Sequence, residues 1–312
     1  MTKQNLVSII IPTFNRADLI ISTLESVKNQ TYDNWECLII DDNSTDATFD
    51  RVAKFTNNDS RFKFIKKASE FKSGASVSRN IGLTLSSGKF IQFLDSDDIL
   101  AENKIEQQLN ILLLNDKFSI VVCKWELFDD TIEEIKVFKQ KSDYMSFEKP
   151  LDYFNLIGQH GGFYPPESFL VSKELINFSG YWNENITLND DGEFFFRLLS
   201  NSKQIIFCDQ THVYHRRSKL NGDNLSLLNN KSKAKDLINS WRIIEAIFIA
   251  KFDNHNSSYI NKKKEAVYNE IKKTYRNLIS ENIFFFKNQI KSDTFFKRLL
   301  KFYKRVLKRI KK

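Results

Sequence analysis

The sequence predicts an α/β fold with a mostly parallel sheet and flanking helices. Three runs rich in apolar residues, at 7–11, 36–40 and 90–94, are typical of strands buried on both faces. Segments of helical periodicity separate them, and this alternation indicates βαβ units. Polar or acidic residues follow each of these strands directly. The carboxyl ends of the strands should therefore meet at one ligand-binding edge of the sheet.

The elements of the N-terminal part are predicted from periodicity and from breaks in it. Apolar residues recur at helical spacing after the turn at Pro12–Asn15, and Ser86–Gly88 ends a later helix. A polar cluster at 41–46 opens another helix. In order, the sequence predicts strand 7–11, helix 20–30, strand 36–40, a helix that ends near 57, strand 62–65, helix 74–85 and a strand from 90.

The strand that begins at Phe90 ends in three carboxylates within four residues, Asp95, Asp97 and Asp98. Buried charge is costly unless a partner neutralises it. The usual partner for such a cluster is a divalent cation, which takes hard oxygen ligands. The alternative is an Asp-rich turn in which Asp98 caps the next helix.

Composition limits the class of protein and its compartment. The chain has 312 residues, and its three cysteines, Cys37, Cys123 and Cys208, lie far apart, which argues against a disulfide framework or a zinc site. A reducing compartment is the expected one. The short apolar run near the N-terminus is not a signal peptide, and no apolar stretch approaches the 18 residues of a membrane-spanning helix.

The net charge of +8 has a local origin at the end of the chain. Residues 294–312 contain nine Lys or Arg and no acid, so removing them leaves −1 for the rest. Apolar residues fill the other face of this segment, which predicts a basic amphipathic helix suited to an anionic membrane surface. A partner helix or a homo-oligomer contact is the alternative. Nucleic acid is disfavoured because the preceding body is not basic and has no recognition module.

Four motifs in the N-terminal part together resemble the family 2 glycosyltransferases of the GT-A fold. Each motif is weak alone, but they occur in the family order over residues 5–115. A further set resembles the acceptor half of such enzymes to about residue 217. The motifs are Val7–Asn15, Ile40–Asp46, Ser78–Gly82 and Phe93–Asp98, followed by Glu167–Ser172, Gly180–Trp182 and Asp190–Arg197.

The resemblance implies a division of the chain into two parts. Residues 1–220 would form a Rossmann-like GT-A domain, with a nucleotide-binding half at 1–115 and an acceptor half at 116–220. Residues 221–312, in which long helical patterns replace the alternation, would form a helical C-terminal region. The apolar segment 243–250 would pack on the body or on another subunit.

The resemblance also implies a site for a nucleotide-sugar donor, typically UDP-linked. Asp42 would bind the nucleobase, and Asp41 would have a structural role. Arg79 would approach the base and ribose, or else form a surface salt bridge, and Asp95 would reach the ribose or a metal-bound water. The residues expected to pack near the base are Pro12, Thr13 and Asn15.

The metal and the catalytic base are assigned in the same way. Asp97 matches the ligand of Mn²⁺ or Mg²⁺, and Asp98 would ligate, cap a helix or contact the donor sugar. His215, in a segment after a predicted edge strand, is either a third ligand or a surface histidine. Asp191 matches the general base, and its place at a helix N-terminus should favour the ionised form. Asp190 precedes it, and helix capping is the alternative for this pair.

Two features bear on the acceptor. Tyr181 and Trp182 would stack on an acceptor sugar, although a buried tryptophan is the alternative. The Gly- and Pro-rich segment 160–166 is predicted to be a loop near the acceptor. The Gln-x-x-Arg-Trp signature of processive synthases is absent, which favours transfer of a single sugar.

The sequence therefore predicts an inverting, metal-dependent glycosyltransferase, with hexosyl or N-acetylhexosaminyl specificity. It would move one sugar from a UDP-sugar to a glycan or lipid-linked acceptor in surface polysaccharide synthesis, from the cytoplasmic face of the cell membrane. A non-catalytic nucleotide-sugar-binding or scaffolding domain is the alternative, and the intact acids argue against it. A nucleotidyltransferase would need a Gly-rich phosphate loop after the first strand, which Pro12–Asn15 does not provide.

Overall fold

The structure is a computed structural model that describes residues 4–129, 132, 138–217 and 228–293. The strands of this part are β1 Val7–Thr13, β2 Trp35–Asp41, β3 Phe62–Lys66, β4 Phe90–Phe93, β5 Ile99–Leu100, β6 Ile120–Phe128, β7 Leu170–Ser172 and β8 Ile205–Arg216. The helices are α1 Ile20–Lys28, α2 Thr48–Thr56, α3 Ala75–Leu85, α4 Lys104–Leu113, α5 Pro150–His160, α6 Lys173–Ser179, α7 Asp190–Asn201, α8 Lys231–Phe252, α9 Ser258–Thr274, α10 Arg276–Glu281 and α11 Lys287–Ser292. A 3₁₀ turn covers Pro166–Ser168.

The eight strands form one mixed sheet in the order β3-β2-β1-β4-β7-β6-β8-β5. β1 is parallel to β2 and β4, and β2 is parallel to β3, so the βαβ half of the prediction is confirmed. The register places Ile10 of β1 opposite Leu38 and Phe93. All seven residues of β1 are buried, as a strand covered by helices on both faces requires.

The second half of the sheet mixes directions. β7 is antiparallel to β4 and to β6, whereas β6 and β8 are parallel. The two-residue strand β5 pairs with β8 and forms the edge of the sheet. The expectation that the segment containing His215 follows an edge strand was therefore wrong. His215 lies inside β8 opposite Leu127, because the strand continues to Arg216 with neighbours on both sides.

Close packing of helices on the sheet and on each other depends on two glycines. A Cβ at Gly82 would meet Ile10 Cγ2 at 2.4 Å, so this glycine lets α3 lie directly on β1. A Cβ at Gly158 would meet the backbone nitrogen of Tyr259 at 2.6 Å, which lets α5 and α9 touch. A residue larger than glycine would therefore clash at both positions, with the core side chain of Ile10 or with the backbone of Tyr259.

The C-terminal helices share the hydrophobic core of the sheet domain. Ile244 and Phe248 of α8 are fully buried, and the segment 243–250 packs on the body of the same chain. Phe154 of α5 contacts Phe248 and Tyr259 in one aromatic cluster. Within the described residues, every helix is too short or too polar to cross a bilayer. The predicted amphipathic segment 294–312 lies outside the described residues.

Candidate active site

The loops after β1 and β2 are tied to each other at the carboxyl edge of the sheet. Asp42 donates its backbone N–H to Thr13 O at 2.8 Å, and Asn15 Oδ1 accepts from the backbone of Thr45 at 2.8 Å. Asn15 can make this bond because it adopts a left-handed conformation, with φ of 50°. The carboxylate of Asp41 accepts from Ser44 and is fully buried, a structural arrangement.

Pro12 and Thr13 are the last two residues of β1, and both are buried. The Thr13 hydroxyl has no hydrogen-bond partner among the described residues, so it is a polar group available at the edge of the sheet. These residues line the expected position for a bound nucleotide, at the end of the strand around which the parallel half is built.

The Asp42 carboxylate is held by three groups of this chain. It forms an ion pair with the buried Lys67, and its Oδ2 accepts from Ser73 Oγ at 2.9 Å and from Gly74 N at 2.7 Å. Asp42 thus fixes the start of α3, which Gly74 precedes with φ of 141°. No sequence pattern indicates that Lys67 pairs with Asp42, because the two residues meet only when β3 lies beside β2.

Arg79 is a buried bridge between the two acid clusters. It is 6% exposed, and its guanidinium lies 2.7 Å from Asp95 Oδ1 and 3.2 Å from Asp190 Oδ2. The alternative of a surface salt bridge was wrong, because the Arg79 guanidinium is buried, whereas its approach to the base and ribose stays a prediction. Two carboxylates offset the cost of burying the cation. Asp190 also accepts from Ser76 Oγ at 2.8 Å.

Two residues of the motif Ser78–Gly82 bind Trp182. Asn80 clamps the backbone of Trp182, accepting from its N–H and donating to its C=O, both at 2.9 Å. The Arg79 guanidinium lies over the Trp182 ring at 4.3 Å. The motif therefore holds the acceptor half of the chain against the nucleotide-binding half.

Asp191 lies on the first turn of α7 and remains accessible to solvent. The capping alternative was wrong for Asp190, which bonds to α3. Asp191 Oδ1 accepts from the backbone N–H of Gly192 at 2.7 Å in the first turn of α7, so this alternative stays open for Asp191. The surrounding cavity limits hydration of Asp191, and together with repulsion from Asp190 it raises the pKa of this carboxyl to about 6. The expected preference for the ionised form at the helix N-terminus is therefore outweighed.

Asp97 faces the open side of the acid cluster. Its side chain is 27% exposed, and Oδ2 lies 3.8 Å from Arg16 Nε. Arg216 Nε donates to the backbone carbonyl of Asp97 at 3.0 Å. Partial burial and the neighbouring charges of Asp98 and Asp95 raise the pKa of Asp97 to about 6.

Asp98 belongs to a buried cluster with Glu167 and His215. His215 Nδ1 lies 3.0 Å from both Asp98 Oδ2 and Glu167 Oε1. Asp98 precedes β5, and α4 begins later with Asn103 as N-cap, so the helix-capping alternative for Asp98 was wrong. Burial and the adjacent Glu167 raise the pKa of Asp98. The same two carboxylates raise the pKa of His215 against the effect of burial.

The residues of this cluster could hold a divalent metal in two ways. One ligand atom from each of Asp98, Glu167 and His215 lies within 4.8 Å of the others. In the second arrangement these carboxylates only orient the imidazole through Nδ1. Its Nε2, which has no hydrogen-bond partner in the described part of the chain, would then be the ligand atom, with Asp97 as a second ligand.

Glu167 and Lys104 are site residues that sequence reasoning missed. Glu167 is fully buried, and one of its carboxylate oxygens has no hydrogen-bond partner among the described residues. Lys104 is also fully buried, donates to Gln92 and to Phe169 O, and burial lowers its pKa to about 7. Gln92 in turn donates to Glu167 O at 2.9 Å. The signal for Glu167 was its place at the start of the motif Glu167–Ser172, but that resemblance assigned it no role.

Trp182 does not have the predicted acceptor-facing position. The ring is 3% exposed and stacks on Phe194 with centroids 4.1 Å apart. It lies in the core, as the alternative stated, because Asn80 and Arg79 hold it there. Tyr181 is 38% exposed, and Phe163 of the Gly- and Pro-rich loop is 50% exposed.

Comparison with known proteins identifies the family and the fold. Residues 8–177 match the family Glycosyl transferase family 2. An uncharacterized glycosyltransferase of Haemophilus influenzae is 30% identical over 230 residues, which cover 73% of this chain and 84% of that protein. The crystal structure of S. aureus TarS 1–349 in complex with UDP-GlcNAc superimposes with a TM-score of 0.65 at 18% identity, covering 84% of this chain and 70% of that one.

A higher identity is found over a shorter stretch of the chain. The Escherichia coli protein WfgD, a UDP-Glc:alpha-D-GlcNAc-diphosphoundecaprenol beta-1,3-glucosyltransferase, is 46% identical over 125 residues. This match covers 40% of the present chain and 47% of WfgD, so the chain spans about half the length of that relative. The family match over more than half of the chain and the mixed sheet of the GT-A type lead to one assignment: the chain belongs to glycosyl transferase family 2.

Proposed function

We propose that this chain is an inverting, metal-dependent transferase that moves one sugar from a UDP-sugar to a glycan or lipid-linked acceptor. The observation that carries the proposal is the Arg79 bridge. One buried guanidinium joins Asp95, at the acidic strand end, to Asp190, next to Asp191. The cluster that would face the donor phosphates is thereby kept close to the carboxylate that would take a proton. A direct displacement needs both at one site.

Asp191 would act as the general base. It is accessible to solvent, and a pKa of about 6 leaves it ionised at neutral pH but more basic than an exposed aspartate. It would remove the proton from the acceptor hydroxyl as that oxygen attacks the anomeric carbon. Attack opposite the departing nucleotide would invert the anomeric centre.

Asp97 and His215 Nε2 would hold a divalent cation, with Asp98 and Glu167 orienting the imidazole. Support comes from the donor set, since carboxylate and imidazole suit Mn²⁺ and carboxylate suits Mg²⁺. When bound, the ion would stabilise the negative charge of the departing nucleoside diphosphate. Arg16 lies beside Asp97 and would add positive charge there.

The donor would lie along the carboxyl ends of β1, β2 and β4. Pro12, Thr13 and Asn15 would pack near the base, and Asp42 would bind it, with its contacts to α3 fixing its position. The choice of UDP, and of a lipid-linked acceptor in surface glycan synthesis, rests on the similarity to WfgD. Attachment to the inner face of the membrane through 294–312, and the division of the chain at residue 220, are part of the same proposal.

Calorimetry with nucleotides tests the donor and the metal together. UDP should bind more tightly than CDP or GDP, and binding should need Mn²⁺ or Mg²⁺ and disappear with a chelator. A screen of UDP-sugars for slow metal-dependent hydrolysis would then identify the sugar. Equal affinity for CDP would contradict the donor, and undiminished binding with chelator would contradict the metal. A protein that binds no nucleotide and hydrolyses no nucleotide sugar would contradict the proposal as a whole.

A further inference from the structure

A cavity of about 190 Å³ opens beside the candidate base. Asp191 and Asn189 line it on the side of α7, and the loop residues Gly162 and Phe163 line another wall. The remaining wall comes from the C-terminal helices, through Trp241 of α8 and through Tyr259 and Lys263 of α9. The cavity is therefore shared by the sheet domain and the helical region.

The lining is largely aromatic and includes two charged side chains, Asp191 and Lys263. Phe163 presents a half-exposed ring, which is supported from behind by Trp125 with ring centroids 4.6 Å apart. Trp241 and Tyr259 are almost completely buried, so they shape the wall. Rigid aromatic faces of this kind pack well on the apolar faces of ring-shaped polar ligands.

Lys263 is the cation of the cavity, and it forms no ion pair with a carboxylate in the described part of the chain. Its side chain is partly buried and lies 5.9 Å from the centroid of the Trp241 ring. Burial lowers the pKa of Lys263, while the charge of Asp191 opposes that effect. The neighbouring lysines differ, since Lys264 pairs with Glu245 and Lys262 donates to Gln159 O.

We propose that this cavity is the acceptor subsite and takes a sugar that carries a negative charge. The inference rests on the proposed function and names its acceptor class. Phe163 stacks on the sugar ring, Asp191 receives the proton of the reacting hydroxyl, and Lys263 pairs with the anionic group. A partly buried ammonium with no carboxylate in direct contact is costly, and an anionic ligand would supply that contact.

The anionic group has two chemical sources, a phosphate on the anomeric carbon or a carboxylate on the ring. Three synthetic alkyl-chain probes separate them: an N-acetylglucosaminyl diphosphate ester, a glucuronic acid glycoside and a neutral N-acetylglucosamine glycoside with the same chain. Binding of each to the full-length protein with UDP and Mn²⁺ is measured by quenching of tryptophan fluorescence, and UDP affinity is measured separately.

At least one anionic probe should bind the native protein about tenfold more tightly than the neutral probe. Lys263→Met keeps the aliphatic stem and should remove this preference, and Lys263→Arg should restore most of it. Lys262→Met is the matched control on the same helix and should leave the preference intact. The probe whose binding responds to Lys263 identifies the source of the charge.

Phe163→Ala should weaken all three probes by a similar factor. Phe178→Ala is its control, because Phe178 is an exposed ring that packs on Phe118 away from the site. Equal affinities for charged and neutral probes in the native protein would overturn the inference, as would an equal loss in Lys262→Met and Lys263→Met. If the native protein binds UDP while either of these results is found, the proposed function stands and only the acceptor inference fails. If the native protein binds no UDP, the proposed function itself is contradicted.

Discussion

At Asp191 two opposing effects act on one carboxylate. A helix N-terminus stabilises an anion by about 0.3–1 kcal/mol at an accessible position. The confined cavity and the adjacent Asp190 act in the other direction and raise the pKa of Asp191 to about 6. The larger effect is the environment created by the fold. This pKa suits a general base, because such a base works best when its pKa lies near the working pH.

The first prediction concerns Asp191. Asp191→Asn keeps the size of the side chain but cannot accept a proton, so the transfer rate should fall by roughly 10²-fold or more. UDP affinity, measured by calorimetry, should stay unchanged. In the native enzyme kcat/KM should rise with pH through about 6 and then level off, because the carboxylate must be ionised. A normal rate in the variant, or a profile that falls over this range, would assign the base elsewhere.

The second prediction separates the two metal arrangements. If Asp97 and His215 Nε2 hold the ion, Asp97→Asn should abolish metal-dependent UDP binding. Glu167→Gln should lower the affinity for the metal by roughly 10- to 100-fold, since it alters only a group that orients the imidazole. Titration of Mn²⁺ by its paramagnetic signal measures both variants. Retained binding in Asp97→Asn together with complete loss in Glu167→Gln would favour the buried cluster of Asp98, Glu167 and His215.

The third prediction concerns Asp143, a buried acid behind the loop that carries Gly162. Its carboxylate oxygens have no hydrogen-bond partner among the described residues, and burial raises its pKa to about 6 from an ordinary 3.8. Because the pKa of Asp143 is higher in the folded state, the contribution of this group to the free energy of unfolding is greatest below pH 4. That contribution is lost as the pH rises through 6. Asp143→Asn should stabilise the protein by about 2–3 kcal/mol at pH 7 and have little effect near pH 4.

Denaturant unfolding at both pH values measures that difference. Asp18→Asn is the control, since Asp18 is 89% exposed and its pair with Arg51 lies at the surface. A similar change for both variants, or no pH dependence for Asp143→Asn, would show that the Asp143 carboxylate is solvated or paired.

At the scale of elements, the contact between α5 and α9 joins the helical region to the sheet domain. Gly158 permits it, because the nearest atoms to a Cβ there include the backbone nitrogen of Tyr259 at 2.6 Å and its Cα at 2.9 Å. Backbone atoms cannot rotate away as a side chain can. The same contact positions α9, which carries Lys263.

The fourth prediction is therefore made on Gly158→Ala. Alanine gains about 1 kcal/mol of helix propensity, but the backbone clash should cost more, and we expect a net loss of about 1–2 kcal/mol. Gln159→Ala is the control, because this exposed neighbour on α5 meets α9 only through its backbone carbonyl. Thermal or denaturant unfolding measures both. A stabilised Gly158→Ala protein would show that α9 can move away from α5 without loss.

At the scale of the whole molecule, charge is distributed unevenly along the chain. The body is close to neutral, and nine cations lie in residues 294–312, outside the described part. A cation near an anionic bilayer contributes about 1 kcal/mol, so nine would suffice for reversible attachment that salt weakens.

The fifth prediction tests this with a protein that ends at Asp293. It should keep UDP binding and donor hydrolysis, because the proposed donor and base residues lie before residue 218. It should lose co-sedimentation with anionic liposomes at low salt, and transfer to a lipid-linked acceptor should fall with it. Full-length protein that ignores anionic liposomes, or a truncated protein whose oligomeric state changes instead, would make the tail an assembly element.

The parallel half of the fold could be predicted because its signals are local. Each element from β1 to β4 agrees with its predicted bounds within two residues, since apolar runs and helical periodicity depend only on neighbours in sequence. The prediction was weaker after β4. The strand containing His215 extends farther than expected, because β5 and β6 supply hydrogen-bond partners on both of its sides.

The sequence by itself determined the family, the α/β class and the acids that define the site, since these depend on residue type and spacing. Only the tertiary structure decided what each side chain touches. Arg79 became a bridge, Trp182 a core residue and Asp42 the partner of Lys67, while Glu167 joined His215 across 48 residues of chain. The physical reason is that the environment of a charge depends on burial and on partners from distant segments, which only the packing of the sheet brings together.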